Sequence, residues 1–128
     1  MTVEKLCNSI YLGDRYCEKV IIKDNIIMFQ INLISRIKEG AREWEYYNDK
    51  DLENGFLVFD NVINYNIDNG STINDEIEVH YISNDNGNYY FIVVGAEYQN
   101  DANTYKWVKF EIKCRDFYLL HNNTKIRE

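Results

Sequence analysis

Hydrophobic and polar residues alternate with a period of two along most of the chain, a pattern that predicts short β-strands. Only the start departs from it. Val3, Leu6, Cys7 and Ile10 recur at helical spacing and Thr2 stands at a capping position, so one or two helical turns are expected there. Residues 19–23 and 26–37 are rich in β-branched side chains and flank Asp24-Asn25, a two-residue hairpin signal. In the second run Ile27, Phe29, Ile31 and Leu33 alternate with Met28, Gln30 and Asn32, which sends one face into a core. Residues 42–47 form the next candidate strand, with Trp44 and Tyr46 on one side and Glu43, Glu45 and Tyr47 on the other. Residues 48–55 read as a turn or a single helical turn ending at Gly55.

Residues 56–59 are apolar on both faces, as a central strand should be. In residues 62–67, Ile63, Tyr65 and Ile67 alternate with Asn64 and Asn66, and residues 68–75 form a polar loop. Residues 76–83 place Ile77, Val79 and Tyr81 inward and Glu78 and His80 outward. Asn86-Gly87 is the strongest turn signal, because both residue types tolerate the positive φ of a type I′ hairpin. Residues 89–96 return as a strand apolar on both faces, so Tyr89, Tyr90 and Phe91 are expected in the core. Residues 105–114 make the last long strand, with Val108, Phe110, Ile112 and Cys114 inward and Trp107, Lys109, Glu111, Lys113 and Arg115 in solvent. It continues at 117–120 after an irregularity, and the tail beyond His121 is expected to fray. Seven to nine strands without helical crossovers define an all-β fold: an antiparallel β-sandwich or partly open barrel, with at most a short N-terminal helix.

Composition narrows the class. The chain has 128 residues, 45% of them hydrophobic, and no proline, and no linker divides it, so residues 1–128 are read as a single domain. No apolar run is long enough for a membrane helix, and the first residues lack a secretory signal. Three cysteines without a C-x-x-C pair then fit free thiols in a reducing cytoplasm, with Cys114 a small core residue and Cys7 and Cys17 less clearly buried.

Charge is segregated. The net charge is −7, yet residues 1–50 are balanced, and residues 51–105 carry ten acids and neither Lys nor Arg. Six bases then follow within residues 106–128. Gathered on one surface, the mid-chain acids would steer a basic partner and repel nucleic acid. The candidate partner-binding residues are Glu43, Glu45, Tyr47, Asp49, Asp51, Glu53, Asp68, Asp75, Glu78 and Asp85.

Catalytic patterns are missing. There is no P-loop, G-x-S-x-G, G-x-G-x-x-G or H-E-x-x-H, and two histidines, His80 and His121, cannot build a three-His zinc site. The stretch from Asn64 imitates a calcium loop, but its glycine, Gly70, comes one position late and flanking helices are lacking. No catalytic residue, metal ligand or cofactor is therefore assigned.

The segment LISRIKEG at 33–40, then Glu43-Trp44 with Tyr47, residues 51–55 (DLENG) and Leu57-Val58-Phe59 with Val62 carry a resemblance. The pattern resembles small bacterial proteins of a domain-of-unknown-function family common in Firmicutes, and the match is best in the first half. It implies no activity for any residue. Similar small, acidic, β-rich proteins serve as immunity proteins beside polymorphic toxins. The expected function is thus a non-catalytic protein-binding module, in particular an immunity protein that neutralises a basic toxin, acting as a monomer or dimer. The alternatives are a small enzyme using paired carboxylates and a homo-oligomeric structural protein.

Overall fold

The N-terminal helical spacing produces α1 (Val3–Asn8), whose first turn is capped by the Thr2 hydroxyl accepting the Lys5 N–H at 3.1 Å. Residues 2–37, 50–99 and 104–128 are described by the computed structural model, and the candidate strand at 42–47 lies outside them. The Asp24-Asn25 signal does make a hairpin, joining β2 (Cys17–Lys23) to β3 (Ile26–Ile31), with Asp24 at φ 55°. The run predicted to continue to Ile37 instead breaks at Asn32. Its side chain accepts the Tyr16 N–H at 2.9 Å, and the chain re-enters a different sheet as β4 (Leu33–Arg36).

That smaller sheet has the order β1 (Ile10–Tyr11), β4, β5 (Leu52–Glu53), all antiparallel. The turn expected at 48–55 is therefore part strand, closed by Asn54 at φ 57°. Arg36 is nearly buried within it. Its guanidinium donates to the Ser9 hydroxyl at 3.1 Å and to the Glu128 main-chain oxygen at 3.2 Å, tying helix end and C-terminal segment together.

The larger sheet has the order β2, β3, β6 (Phe56–Asp68), β9 (Thr104–His121), β8 (Asn88–Gln99), β7 (Ile77–Asp85), with β10 (Thr124–Ile126) paired to the far end of β9. Every pairing is antiparallel. The architecture is all-β, as expected. The tail does not fray: Asn122 and Asn123 both take positive φ, 50° and 63°, and turn β10 back on β9, where Ile126 packs against the core. Between β7 and β8, Asn86 at φ 52° and Gly87 at φ 85° form the predicted type I′ turn.

Three register shifts curl the sheet, because an extra residue on one strand bends it and increases twist. They fall at Glu18 on β2, Ile63 on β6 and Ile82 on β7. Ile63, expected inside, is 44% exposed for this reason. The curl brings the two edge strands together at a single bridge, Tyr16 to Glu76, without closing a barrel.

Its concave face holds Phe29, Phe59, Phe91, Phe110 and Phe117, all fully buried. Phe59 lies 5.0 Å from both Phe91 and Phe117, and Phe29 lies 5.7 Å from Phe59 and 5.2 Å from Phe110. Leu6, Cys7, Leu12, Ile34 and Leu52, from the helix, the segment after it and the small sheet, join the same core. All three cysteines are buried, including Cys7 and Cys17, which had looked more accessible. Tyr90 departs from expectation: it points outward, and its hydroxyl donates to Glu111. Replacing Phe59 by Ala is expected to cost about 3–5 kcal/mol, read from the urea midpoint, since the ring contacts three others across the sheet.

Candidate functional site

The site begins with a buried carboxylate. Residues 69–75 lack regular structure, and Glu97, on β8, holds them in place. One oxygen of Glu97 accepts the Ser71 N–H at 3.0 Å, the Thr72 N–H at 2.9 Å and the Ser71 hydroxyl at 3.2 Å. Lys106, opposite it on β9, stands 3.8 Å from the other oxygen. The Ser71 N–H is the largest influence holding the carboxyl below its ordinary range, against the opposing effect of burial, with Thr72 and Lys106 assisting.

Asn74 fastens the far end of the loop, accepting the Tyr98 N–H at 2.6 Å and donating to its carbonyl at 3.1 Å. Ile73 is then fully buried against Gly95, where any Cβ would lie 2.6 Å from the isoleucine. So anchored, the loop delivers Asp75 and Glu76 to the edge of β7, where the Asp75 carbonyl accepts the Cys17 N–H at 2.9 Å.

Beyond that contact the preceding chain turns away at Gly13-Asp14, with Asp14 at φ 59°. A groove of about 490 Å³ opens between residues 10–14 and residues 76–80. Asp14, Glu76 and Glu78 line it together with Tyr11 and His80, and neither Lys nor Arg is among its lining residues. The His80 Nε2 lies 3.1 Å from the Glu78 carboxylate.

The sequence-predicted acids divide among several places. Glu43, Glu45, Tyr47 and Asp49 lie outside the described residues. Glu78 lines the groove and Asp75 adjoins it. Asp85 sits at the opposite end of β7, roughly 30 Å along the strand from Asp75. Asp51 and Glu53 belong with the small sheet, where Glu53 pairs with Leu33. Asp68 ends β6 directly across from Lys109. The described mid-chain acids therefore do not gather into one anionic surface; Asp14, which lies outside that block, joins two of its members in the groove.

Other groups that could carry chemistry are engaged elsewhere. Burial pushes the thiols of Cys7, Cys17 and Cys114 up to about 12, so each stays protonated near neutrality. Asp60 and Asp116 face each other across β6 and β9. Asp116 is clamped by Arg127 at 2.6 and 2.9 Å, and Asp60 accepts the Tyr118 hydroxyl at 3.1 Å. Burial is the largest cause raising Tyr118 to about 12. The calcium-like stretch after Asn64 is strand up to Asp68 and pinned loop beyond, and no group of three metal-ligating side chains occurs among the described residues. No described helix is long and apolar enough to cross a membrane.

Fold and site thus define an all-β protein whose curled sheet carries an acid-lined groove at one edge. The chain belongs to the family of unknown function DUF6258, which it matches over residues 1–128. No curated protein and no solved structure matches it.

The depressed Glu97 carboxyl predicts a pH dependence. Its contribution is complete above the unfolded value of about 4.3 and is lost as pH falls through the lower folded value. Glu97→Gln is expected to lower the urea midpoint near pH 7, with the gap to the parent protein narrowing as the pH is taken below about 4.

Proposed function

We propose that this chain is a non-catalytic protein-binding module for a basic partner. The groove at the edge of β7 carries the reading: three acidic residues line it, with no Lys or Arg among its lining residues. The net charge of −7 supports it at longer range, because a cationic protein is drawn in before contact wherever the short-range site lies.

The most specific form of the proposal is an immunity protein that binds and neutralises a basic toxin in the cytoplasm. Three free, buried thiols suit a reducing compartment. A second reading, self-association, is favoured by one observation. Tyr105 and Trp107 stand 58% and 51% exposed on the outer face of β9, with ring centroids 6.1 Å apart and Tyr98 opposite Tyr105.

The partner test uses the protein encoded by the neighbouring gene. Its association rate is expected to fall roughly tenfold or more as the Debye length is shortened from about 30 to about 8 Å by added salt. Joint replacement of Glu76 and Glu78 by Gln should slow association at low salt. A rate indifferent to both overturns the electrostatic reading. For the second reading, sedimentation across a wide concentration range is expected to show a dimer that Trp107→Glu dissociates; a monomer throughout removes it.

A further inference from the structure

We infer that the groove takes an extended basic segment of the partner by antiparallel strand addition to β7, an inference that rests on the proposed function and specifies how the partner is held. β7 ends the large sheet, and β8 is its only ladder partner among the described strands. Ala96 N–H donates to the Glu76 carbonyl, and the register continues with Glu78 opposite Val94 and His80 opposite Ile92. Hydrogen-bonded positions alternate along an antiparallel pair. The main-chain N–H and C=O of Glu78 and His80 therefore face β8, while those of Val79 face away from it, toward the groove.

The edge is covered on either side of this position. On one side lies the Tyr16–Glu76 bridge. On the other, α1 packs against β7, with Cys7 hydrogen-bonded to the Tyr81 main chain. Between these covers about 13 Å of strand remains, enough for roughly four extended residues. The chain itself begins an antiparallel ladder at Tyr16 and abandons it by turning at Gly13-Asp14, so an added strand in the same direction fills the place that residues 10–14 leave.

Side-chain alternation then sets the chemistry. A residue directly opposite Val79 shares its inward face, beside Ile77 and Tyr81, and should be a small apolar side chain. Its two neighbours share the outward face with Glu78 and His80, with Asp14 and Glu76 on the rim, and should be Lys or Arg. The ligand is thus a strand of alternating basic and β-branched residues. Main-chain bonds at Val79 fix its register, and the carboxylates select its charge.

The test uses the full chain, isotopically labelled, and three short synthetic peptides of alternating lysine and valine: unmodified, N-methylated at the valines, and N-methylated at the lysines. All three carry the same charge. In the antiparallel register only the valine N–H donates to Val79. The unmodified and lysine-methylated peptides are expected to bind alike and to slow hydrogen exchange at the Val79 amide. Methylation of the valines should weaken binding about tenfold. Three peptides that bind equally, with shifts at Glu76 and Glu78, overturn strand addition while leaving the acidic groove as a basic-partner site. Failure of all three, or binding elsewhere on the chain, also overturns it. The salt dependence toward the neighbouring protein then judges the broader function separately.

Discussion

Five phenylalanines from four strands meet on the concave face of one sheet, and the rest of the structure depends on that contact. A flat sheet could not bring Phe29 on β3 within 5.2 Å of Phe110 on β9, because β6 lies between them. Bulges at Glu18, Ile63 and Ile82 supply the bend, and the burial of five aromatic side chains outweighs the ladder bonds lost there. The same bend carries β2 and β7 toward each other until Tyr16 and Glu76 touch. The groove is the remainder of that near-closure, so its position follows from the core.

The charge pattern is resolved by topology. β9 holds four of the six bases of the last segment and lies between β6 and β8, which come from the acid-only stretch. Acid and base blocks that are separate in sequence become cross-strand neighbours: Glu97 with Lys106, and Asp68 with Lys109. Within β9 itself Lys109 stands 3.6 Å from Glu111. The outward pairs that Lys109 makes with Asp68 and Glu111 contribute little energy each, but they cancel charge on the sheet's outer face, whereas Glu97 with Lys106 lies on the buried side.

Much of this fold was legible because strand periodicity and turn chemistry are local. Val108, Phe110, Ile112 and Cys114 are buried as their alternation required, and Asn86-Gly87 turns as its residue types dictate. Bulges were not legible, since Ile63 alternates like a core residue until a register shift turns it out. Nor was β10: the positive φ shared by Asn122 and Asn123 is permitted by asparagine but not announced by it. Glu97 read as one more surface acid, because the donors that make it a buried staple come from Ser71 and Thr72, distant in sequence. The groove combines residues 10–14 with residues 76–80, and no spacing rule connects segments so far apart.

An uncovered strand edge invites any extended chain, including a second copy of the same protein, so the side chains around it decide what is admitted. Here the exposed length is already short, capped by a bridge at one end and by α1 at the other. Pairing two copies edge to edge would double the three groove carboxylates in one place, with neither Lys nor Arg from the lining to offset them. Like charges held across a strand pair are destabilising, and the penalty grows as the groove excludes water. A basic strand reverses the sign of the same interaction. The carboxylates that discourage self-pairing at β7 are therefore the ones that would select the proposed cationic partner, so one set of side chains would serve both protection of the edge and its selectivity.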